Sequence, residues 1–180
     1  MSDAPDSVME MQNPVAAMPP RRLEVWLPIL IVAVDQLTKA MVRAMLPLSE
    51  SVTVVQGFVN ITHVRNAGAA FGILNTAEFP FKSVLIAVIA TAALVGVGVY
   101  AASLAHHQIV ARIGLALIIG GATGNLIDRI LAGSVVDFVD VYYRTYHFWA
   151  FNVADSAITV GVATMILDLL GVGTHVSKTA

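Results

Sequence analysis

Four long apolar stretches separate the polar parts of this chain. The clearest lies between Lys82 and His106, where no charged residue occurs. An α-helix needs about 20 apolar residues to cross the hydrocarbon core of a bilayer. The pattern therefore predicts four membrane-spanning helices, at about residues 23–45, 82–105, 109–130 and 152–171.

The segment after the first stretch has a different pattern. Residues 51–64 contain VTVV, a Gln-Gly break and FVNITHV, so they are rich in β-branched residues with partial alternation. This pattern is typical of strands. We therefore predict an all-α integral membrane protein, a four-transmembrane-helix bundle with a small extramembrane β-sheet or hairpin between helices 1 and 2.

The two ends of the chain lack these patterns. Residues 1–20 mix acids, prolines and methionines without periodicity, which indicates a disordered N-terminal tail. Residues 173–180 are expected to form a second, C-terminal tail. Between the tails, residues 21–172 are expected to form a single membrane domain.

Composition supports a membrane protein and excludes several functions. Hydrophobic residues make up 57% of the 180 residues and charged residues 12%, whereas soluble domains have about 25% charged residues. The formal net charge of -2 provides no basic surface for phosphates, so we expect no nucleic acid partner. Because the chain has no cysteine, disulfides and thiolate chemistry are excluded.

Antiparallel spans would bring most of the polar residues that could carry chemistry to one membrane face. That face would hold Asp35, Asn66, Asn125, Asp128, Arg129, Asp137, Asp140, Asn152 and Asp155. Basic residues are more numerous there too, which taken literally would make it the cytoplasmic face. Several of them lie beside acids, however, and Arg21 and Arg22 directly precede the first span. We therefore predict that both termini are cytoplasmic.

Two of the predicted spans carry ionisable residues, which a membrane tolerates where they are paired or face a functional cavity. Asp35 lies four residues before Lys39, the favourable order for a helical ion pair. This pair could be structural or could act directly at a site. In the third span, Asn125 shares one helical face with Asp128 and Arg129, which we interpret as a carboxylate–guanidinium pair that fixes the helix end.

Two carboxylates are the strongest candidates for catalysis. Asp137 follows the third span in SVVDFVDV, and Asp155 opens the fourth in FNVADSAI. Two carboxylates close together in a partly dry site cannot both ionise easily, so one keeps its proton. Such a pair can activate water and protonate a leaving amine in peptide hydrolysis. Asp140 lies on the same loop, and the residues alone do not separate it from Asp137.

Other chemistries have weaker support in the sequence. The histidines lack metal-ligand spacing, and no GxSxG or SxxK motif surrounds a serine. We expect neither a metal nor a cofactor. The small-residue segment RNAGAAFG, residues 65–72, could let a substrate backbone approach at Gly68 or could be a simple turn. An ion transporter and a structural assembly protein are the alternative functions.

Five motifs follow one another in order: DQLTK at 35–39, RNAGAAFG at 65–72, GGATGNLIDR at 120–129, VVDF at 135–138 and FNVADSAI at 151–158. Together they resemble the lipoprotein signal peptidase family, also called signal peptidase II. The resemblance implies an aspartyl endopeptidase of the bacterial cytoplasmic membrane. It would cleave the signal peptide from diacylglyceryl-modified prolipoproteins just before the lipidated cysteine.

The resemblance also implies roles for individual residues. Asp137 and Asp155 would form the catalytic dyad. The residues that bind substrate or support the site would be Asp35, Lys39, Asn66, Gly68, Asn125, Asp128, Arg129 and Asn152. The implied site lies near the outer, periplasmic face of a multi-pass protein with both termini cytoplasmic. The expected partners are lipid-modified prolipoproteins and membrane lipids, and we expect a monomer.

Overall fold

The computed structural model describes residues 22–68, 80–105 and 107–171. The predicted tails, 1–20 and 173–180, and residues 69–72 of RNAGAAFG lie outside this part of the chain. Within it, the helices are α1 (Arg22–Met45), α2 (Lys82–Ser103), α3 (Ile109–Ala132) and α4 (Val153–Leu169).

Three of these helices are long and apolar enough to cross a membrane: α1, α2 and α3. The fourth, α4, has 17 residues and ends before the predicted boundary at 171. Helix α3 is central, because it packs against each of the other three helices. Much of the buried apolar core lies on it, including Ala111, Leu115 and Leu126.

A four-stranded antiparallel sheet lies beside the helices. Its order is β1 (Ser51–Val55), β2 (Val59–Asn66), β3 (Val135–Tyr143) and β4 (Tyr146–His147). Only β1 and β2 come from the segment between α1 and α2, so the prediction that this segment alone forms the sheet was wrong. The segment after α3 supplies the other two strands. From the sequence, this segment is interpreted as an apolar stretch and loop that follow the third span, although it is rich in β-branched and aromatic residues.

Glycines allow the helices to approach one another closely. A Cβ atom added at Gly161 of α4 would lie 2.6 Å from the backbone oxygen of Gly114 on α3. At Gly120, an added Cβ would lie 3.0 Å from the Cα of Pro28 on α1. Because real Cβ contacts are longer than this, α1 and α4 could not pack so close to α3 with larger residues at these positions.

Gly124→Ala should destabilise the protein, because the new Cβ would lie 2.6 Å from Oδ2 of the buried Asp35 side chain. Overpacking of this kind lowers the free energy of unfolding by about 1–3 kcal/mol. Thermal unfolding in detergent should show a melting temperature several degrees lower than that of the unmodified protein. Gly96→Ala in α2 is the matched control, since nothing lies within 4 Å of its added Cβ. Equal melting temperatures for the two variants would contradict the proposed clash.

Candidate active site

The centre of the polar cluster is the ammonium group of Lys39, whose side chain is completely buried. Its Nζ lies 2.7 Å from Oδ2 of Asp35 and 2.9 Å from Oδ2 of Asp128. It also donates to Oδ1 of Asn125 at 2.9 Å. A buried charge is tolerated only when it is paired and hydrogen-bonded. The hydrogen bonds to Asp35 and Asn125, together with the ion pair to Asp128, meet that requirement and join α1 to α3.

The predicted ion pair between Asp128 and Arg129 is wrong. Asp128 pairs across the helix interface with Arg43 of α1, whose Nη2 donates to Oδ1 at 2.7 Å. Arg129 instead donates to the backbone oxygens of Gly68 at 3.2 Å and Asn125 at 3.3 Å. Consecutive side chains on a helix diverge, so the two residues do not face each other.

The start of α4 is fixed by a capping box at Asn152. Its side-chain oxygen accepts from the backbone N–H of Asp155 at 2.9 Å, and Oδ2 of Asp155 accepts from the backbone N–H of Asn152 at 3.2 Å. Oδ1 of Asp35 accepts from the backbone N–H of Ala154 at 3.0 Å. The first turn of a helix has unpaired N–H groups. Here they hold two of the predicted site carboxylates in place.

Asp137 lies on β3, is 3% exposed and accepts two amide hydrogen bonds. The side-chain amide of Asn152 donates to Oδ1 at 2.7 Å, and that of Asn66 donates to Oδ2 at 3.1 Å. Asn66 is on the neighbouring strand β2, which pairs with this part of β3. The sheet and the start of α4 therefore place the carboxylate jointly.

Asp137 and Asp155 belong to one hydrogen-bond network. Asn152 contacts both carboxylates, and the side-chain amide of Asn125 donates to Oδ1 of Asp155 at 2.7 Å. Burial raises the pKa of the Asp137 carboxyl from 3.8 to about 7, and the negative charge of Asp155 acts in the same direction. Asp155 is only half-buried. Asp137 can therefore keep a proton near neutral pH, in the same hydrogen-bond network as the more accessible carboxylate of Asp155.

The structure brings the predicted site residues into one cluster. They are Asp35, Lys39, Asn66, Gly68, Asn125, Asp128, Arg129, Asp137, Asn152 and Asp155. Asp140 is outside it, because its carboxylate instead contacts Asn60 and His147. The geometry thus separates Asp140 from Asp137, which the residues alone did not.

Two polar residues of α1 were not among the predicted site residues. Gln36 donates to the backbone oxygen of Gly124 at 3.1 Å and to Asp35 at 3.2 Å. Arg43 pairs with Asp128 as described above. The sequence signal for Arg43 is its position one helical turn after Lys39, on the same face. Among the described residues, no group of three or more His, Cys, Asp or Glu side chains is arranged to hold a metal ion.

Comparison with known proteins gives consistent results. The family model for signal peptidase (SPase) II matches residues 27–171. A lipoprotein signal peptidase of Geobacter metallireducens is 44% identical over 137 residues, which cover 76% of this chain and 83% of that protein. One from Syntrophotalea carbinolica is 46% identical over 140 residues, covering 77% and 84%.

A solved structure gives the same picture of the fold. It is described as a bacterial membrane enzyme, determined by the in meso method at 2.3 Å resolution. Its TM-score with this chain is 0.76 at 32% sequence identity, and the match covers 88% of this chain and 94% of the other.

The long apolar helices and the solved structure together define an integral membrane protein of the bacterial inner membrane. The matched family model and the curated relatives are more specific. The chain belongs to the signal peptidase II family, which makes it a membrane protease concerned with lipoprotein processing. The resemblance seen in the five motifs is thereby confirmed.

Lys39→Met should strongly destabilise the protein, because it leaves the Asp35 carboxylate buried without its cation. Removing one partner of a buried ion pair lowers the free energy of unfolding by about 3–5 kcal/mol. Thermal unfolding of the purified protein in detergent measures this loss.

The matched control is the double variant Lys39→Met, Asp35→Asn, which removes the uncompensated charge. It should recover part of the lost stability, while Asp128 keeps its pairing with Arg43. A Lys39→Met variant as stable as the unmodified protein would show that the ammonium group does not hold α1 and α3 together.

Proposed function

We propose that this protein is an aspartyl endopeptidase that cleaves the signal peptide from diacylglyceryl-modified prolipoproteins just before the lipidated cysteine. The observation that carries the proposal is the single network that holds Asp137 and Asp155, with the pKa of Asp137 raised to about 7. The relatives named lipoprotein signal peptidase support the choice of substrate.

In the proposed reaction, the two carboxyl groups share one proton before catalysis. The ionised carboxylate takes a proton from water as the water oxygen attacks the scissile carbonyl carbon. The protonated carboxyl group donates a hydrogen bond to the carbonyl oxygen and then supplies the proton for the departing amine. Because the two groups titrate as a pair, the shared proton belongs to the dyad and not to one residue.

The asparagines are positioning residues in this proposal. Asn152 and Asn66 donate to the two oxygens of Asp137, and Asn125 donates to Asp155. Asn125 is itself oriented by Lys39, whose ammonium group donates to its side-chain oxygen. Carboxylates fixed before substrate arrives need less reorganisation in the transition state.

Gly68 has a separate role in the segment just after β2. Its backbone oxygen accepts from Arg129, and its backbone N–H donates to the side-chain oxygen of Asn66 at 2.9 Å. The first contact ties the segment after β2 to α3, and the second holds that segment against the last residue of β2. The missing side chain leaves room for a substrate backbone to approach Asp137, which Asn66 also contacts.

The membrane arrangement is part of the same proposal. Helix α4 acts as a fourth span, both termini are cytoplasmic, and the dyad lies near the periplasmic face. A signal helix enters from the lipid, and its diacylglyceryl chains stay in the bilayer. The protein acts as a monomer surrounded by membrane lipids. The position of the polar cluster at the end of α3 and the start of α4 supports this arrangement.

Replacing either aspartate by asparagine should abolish proteolysis. Asp137→Asn and Asp155→Asn each remove a carboxyl group that the proposed reaction requires, so turnover should fall by about 10³-fold or more. A gel-shift assay with a diacylglyceryl-modified prolipoprotein in liposomes measures cleavage. Thermal unfolding checks that each variant is folded.

The control variant is Asp140→Asn, which removes a carboxylate of the same sheet that lies outside the network of the dyad. It should keep most of the turnover. Near-normal cleavage by a folded Asp137→Asn or Asp155→Asn variant would overturn the assignment of the dyad.

The pH dependence of kcat/KM should show a falling limb that begins near pH 7. Below the pKa of about 7 the dyad keeps its proton, and above it the proton is lost. Since the reaction needs one ionised and one protonated carboxyl group, activity should fall as the pH rises through this value. The Asp140→Asn variant should show the same limb. A rate that keeps rising well above pH 7 would contradict the shared proton.

A further inference from the structure

The hairpin formed by β3 and β4 has two chemically different faces. Side chains alternate between the faces of a strand, and residues directly opposite each other share a face. Tyr143 is paired with Tyr146, and the backbone N–H of Phe148 donates to Val141 at 2.8 Å. These four side chains therefore lie on one face, which we call the aromatic face. They are 39–69% exposed.

The opposite face of the hairpin is polar, and its side chains contact one another. The His147 ring stacks on Tyr142 with centroids 5.1 Å apart, and its Nδ1 lies 2.9 Å from Oδ2 of Asp140. Asn60 donates to the same carboxylate at 3.0 Å. The Tyr142 hydroxyl accepts from the backbone N–H of Gly57 at 2.9 Å. These contacts fix the hairpin to the β1–β2 turn and hold the aromatic face in one orientation.

Three neighbouring residues extend the aromatic face. The Phe58 ring, 55% exposed in the β1–β2 turn, lies 6.2 Å from that of Tyr143. The Arg144 guanidinium lies 5.4 Å from the centroid of the Tyr143 ring. Trp149, 58% exposed, packs edge-on against Phe148 at 6.1 Å. The result is a continuous exposed surface with aromatic rings, polar tips and one cation.

The connections of the β3–β4 segment to the neighbouring helices indicate where this surface lies relative to the membrane. Only Gly133 and Ser134 separate the end of α3 from the start of β3, and Trp149 lies only four residues before the start of α4, so both ends of this segment are attached close to helix ends. Trp and Tyr are enriched at this level of a membrane, because their rings are apolar and their N–H and O–H groups remain hydrated. A guanidinium group there can reach lipid phosphates.

We propose that the aromatic face, together with Phe58, Arg144 and Trp149, inserts into the headgroup region of the bilayer. The ligand is phospholipid, with the rings among the upper acyl chains and Arg144 at the phosphates. This contact fixes the height of the sheet above the hydrocarbon core. Because Asp137 lies on the same strand as Tyr143, the contact also sets the depth of the candidate active site. The proposal does not depend on the reaction that the site performs.

Tryptophan fluorescence tests this contact directly, since the chain has only two tryptophans, Trp26 and Trp149. In the full-length Trp26→Phe variant, Trp149 is the single reporter. The protein is reconstituted into vesicles of phosphatidylcholine and phosphatidylglycerol. The vesicles contain phosphatidylcholine brominated either near the headgroup or near the ends of the acyl chains. Iodide is added as an aqueous quencher.

We expect bromine near the headgroup to remove at least half of the Trp149 emission, and bromine at the chain ends and iodide to remove much less. Trp149→Phe is the control, since it reports the exposed Trp26 of α1 alone. If Trp26→Phe does not reconstitute, the difference between the unmodified protein and Trp149→Phe gives the same quantity.

A second variant tests the aromatic face itself. Tyr143→Ser with Tyr146→Ser, made in the Trp26→Phe background, should at least halve the fraction of Trp149 emission that bromine near the headgroup removes. Strong quenching of Trp149 by iodide, with no effect of bromolipids, would place the surface in water and overturn the proposal. Protection from both quenchers would also overturn it, and would indicate that protein covers the surface.

Discussion

The polar cluster of this protein depends on one buried cation. The Lys39 ammonium group is completely buried, and its burial is possible only because two hydrogen bonds and an ion pair to residues of two helices compensate the charge. Those partners have further contacts. Asp35 accepts from the first turn of α4, Asp128 pairs with Arg43, and Asn125 donates to Asp155. The requirement to neutralise one charge thus fixes the relative positions of α1, α3 and α4.

Close helix packing and this charge network support each other. A Cβ atom added at Gly124 would lie 2.6 Å from the Asp35 carboxylate. Because α3 has no side chain at this position, α1 can approach closely enough for Lys39 to contact Asn125 of α3. In lipid, packing and interhelical hydrogen bonds replace the hydrophobic driving force between helices. The small residues therefore allow the helices to approach one another. The ion pairs determine which rotation of each helix about its own axis is stable.

Local spacing allowed part of the site to be predicted. The pairing of Asp35 with Lys39 follows from their separation of four residues on one helix. The pairing of Asp128 with Arg43 does not, because it depends on how α1 packs on α3, and the nearer Arg129 was chosen instead. The residues alone did not distinguish Asp137 from Asp140; the family resemblance favoured Asp137, and the sheet turns the two carboxylates toward different partners. Strand β3 itself was missed because the first residues of VVDFVDVYY are buried on both faces and lack the alternation of apolar and polar residues that indicates a strand.

The sheet gives the candidate active site a second support that the helices do not provide. Asp155 is held by α3 and α4, whereas Asp137 is held by β3 and by Asn66 of β2. The separation of the two carboxylates therefore depends on how the sheet sits relative to the helices. Asn152 is the direct connection, because its buried amide contacts both Asp137 and Asn125. Further contacts join Arg129 to Gly68 and Phe151 to Val139, and all of these lie on the helix side of the sheet, so the sheet could tilt about that side. A second attachment at the far end of β3, at the level of the headgroups, would restrict that motion and keep the separation of the two carboxylates constant.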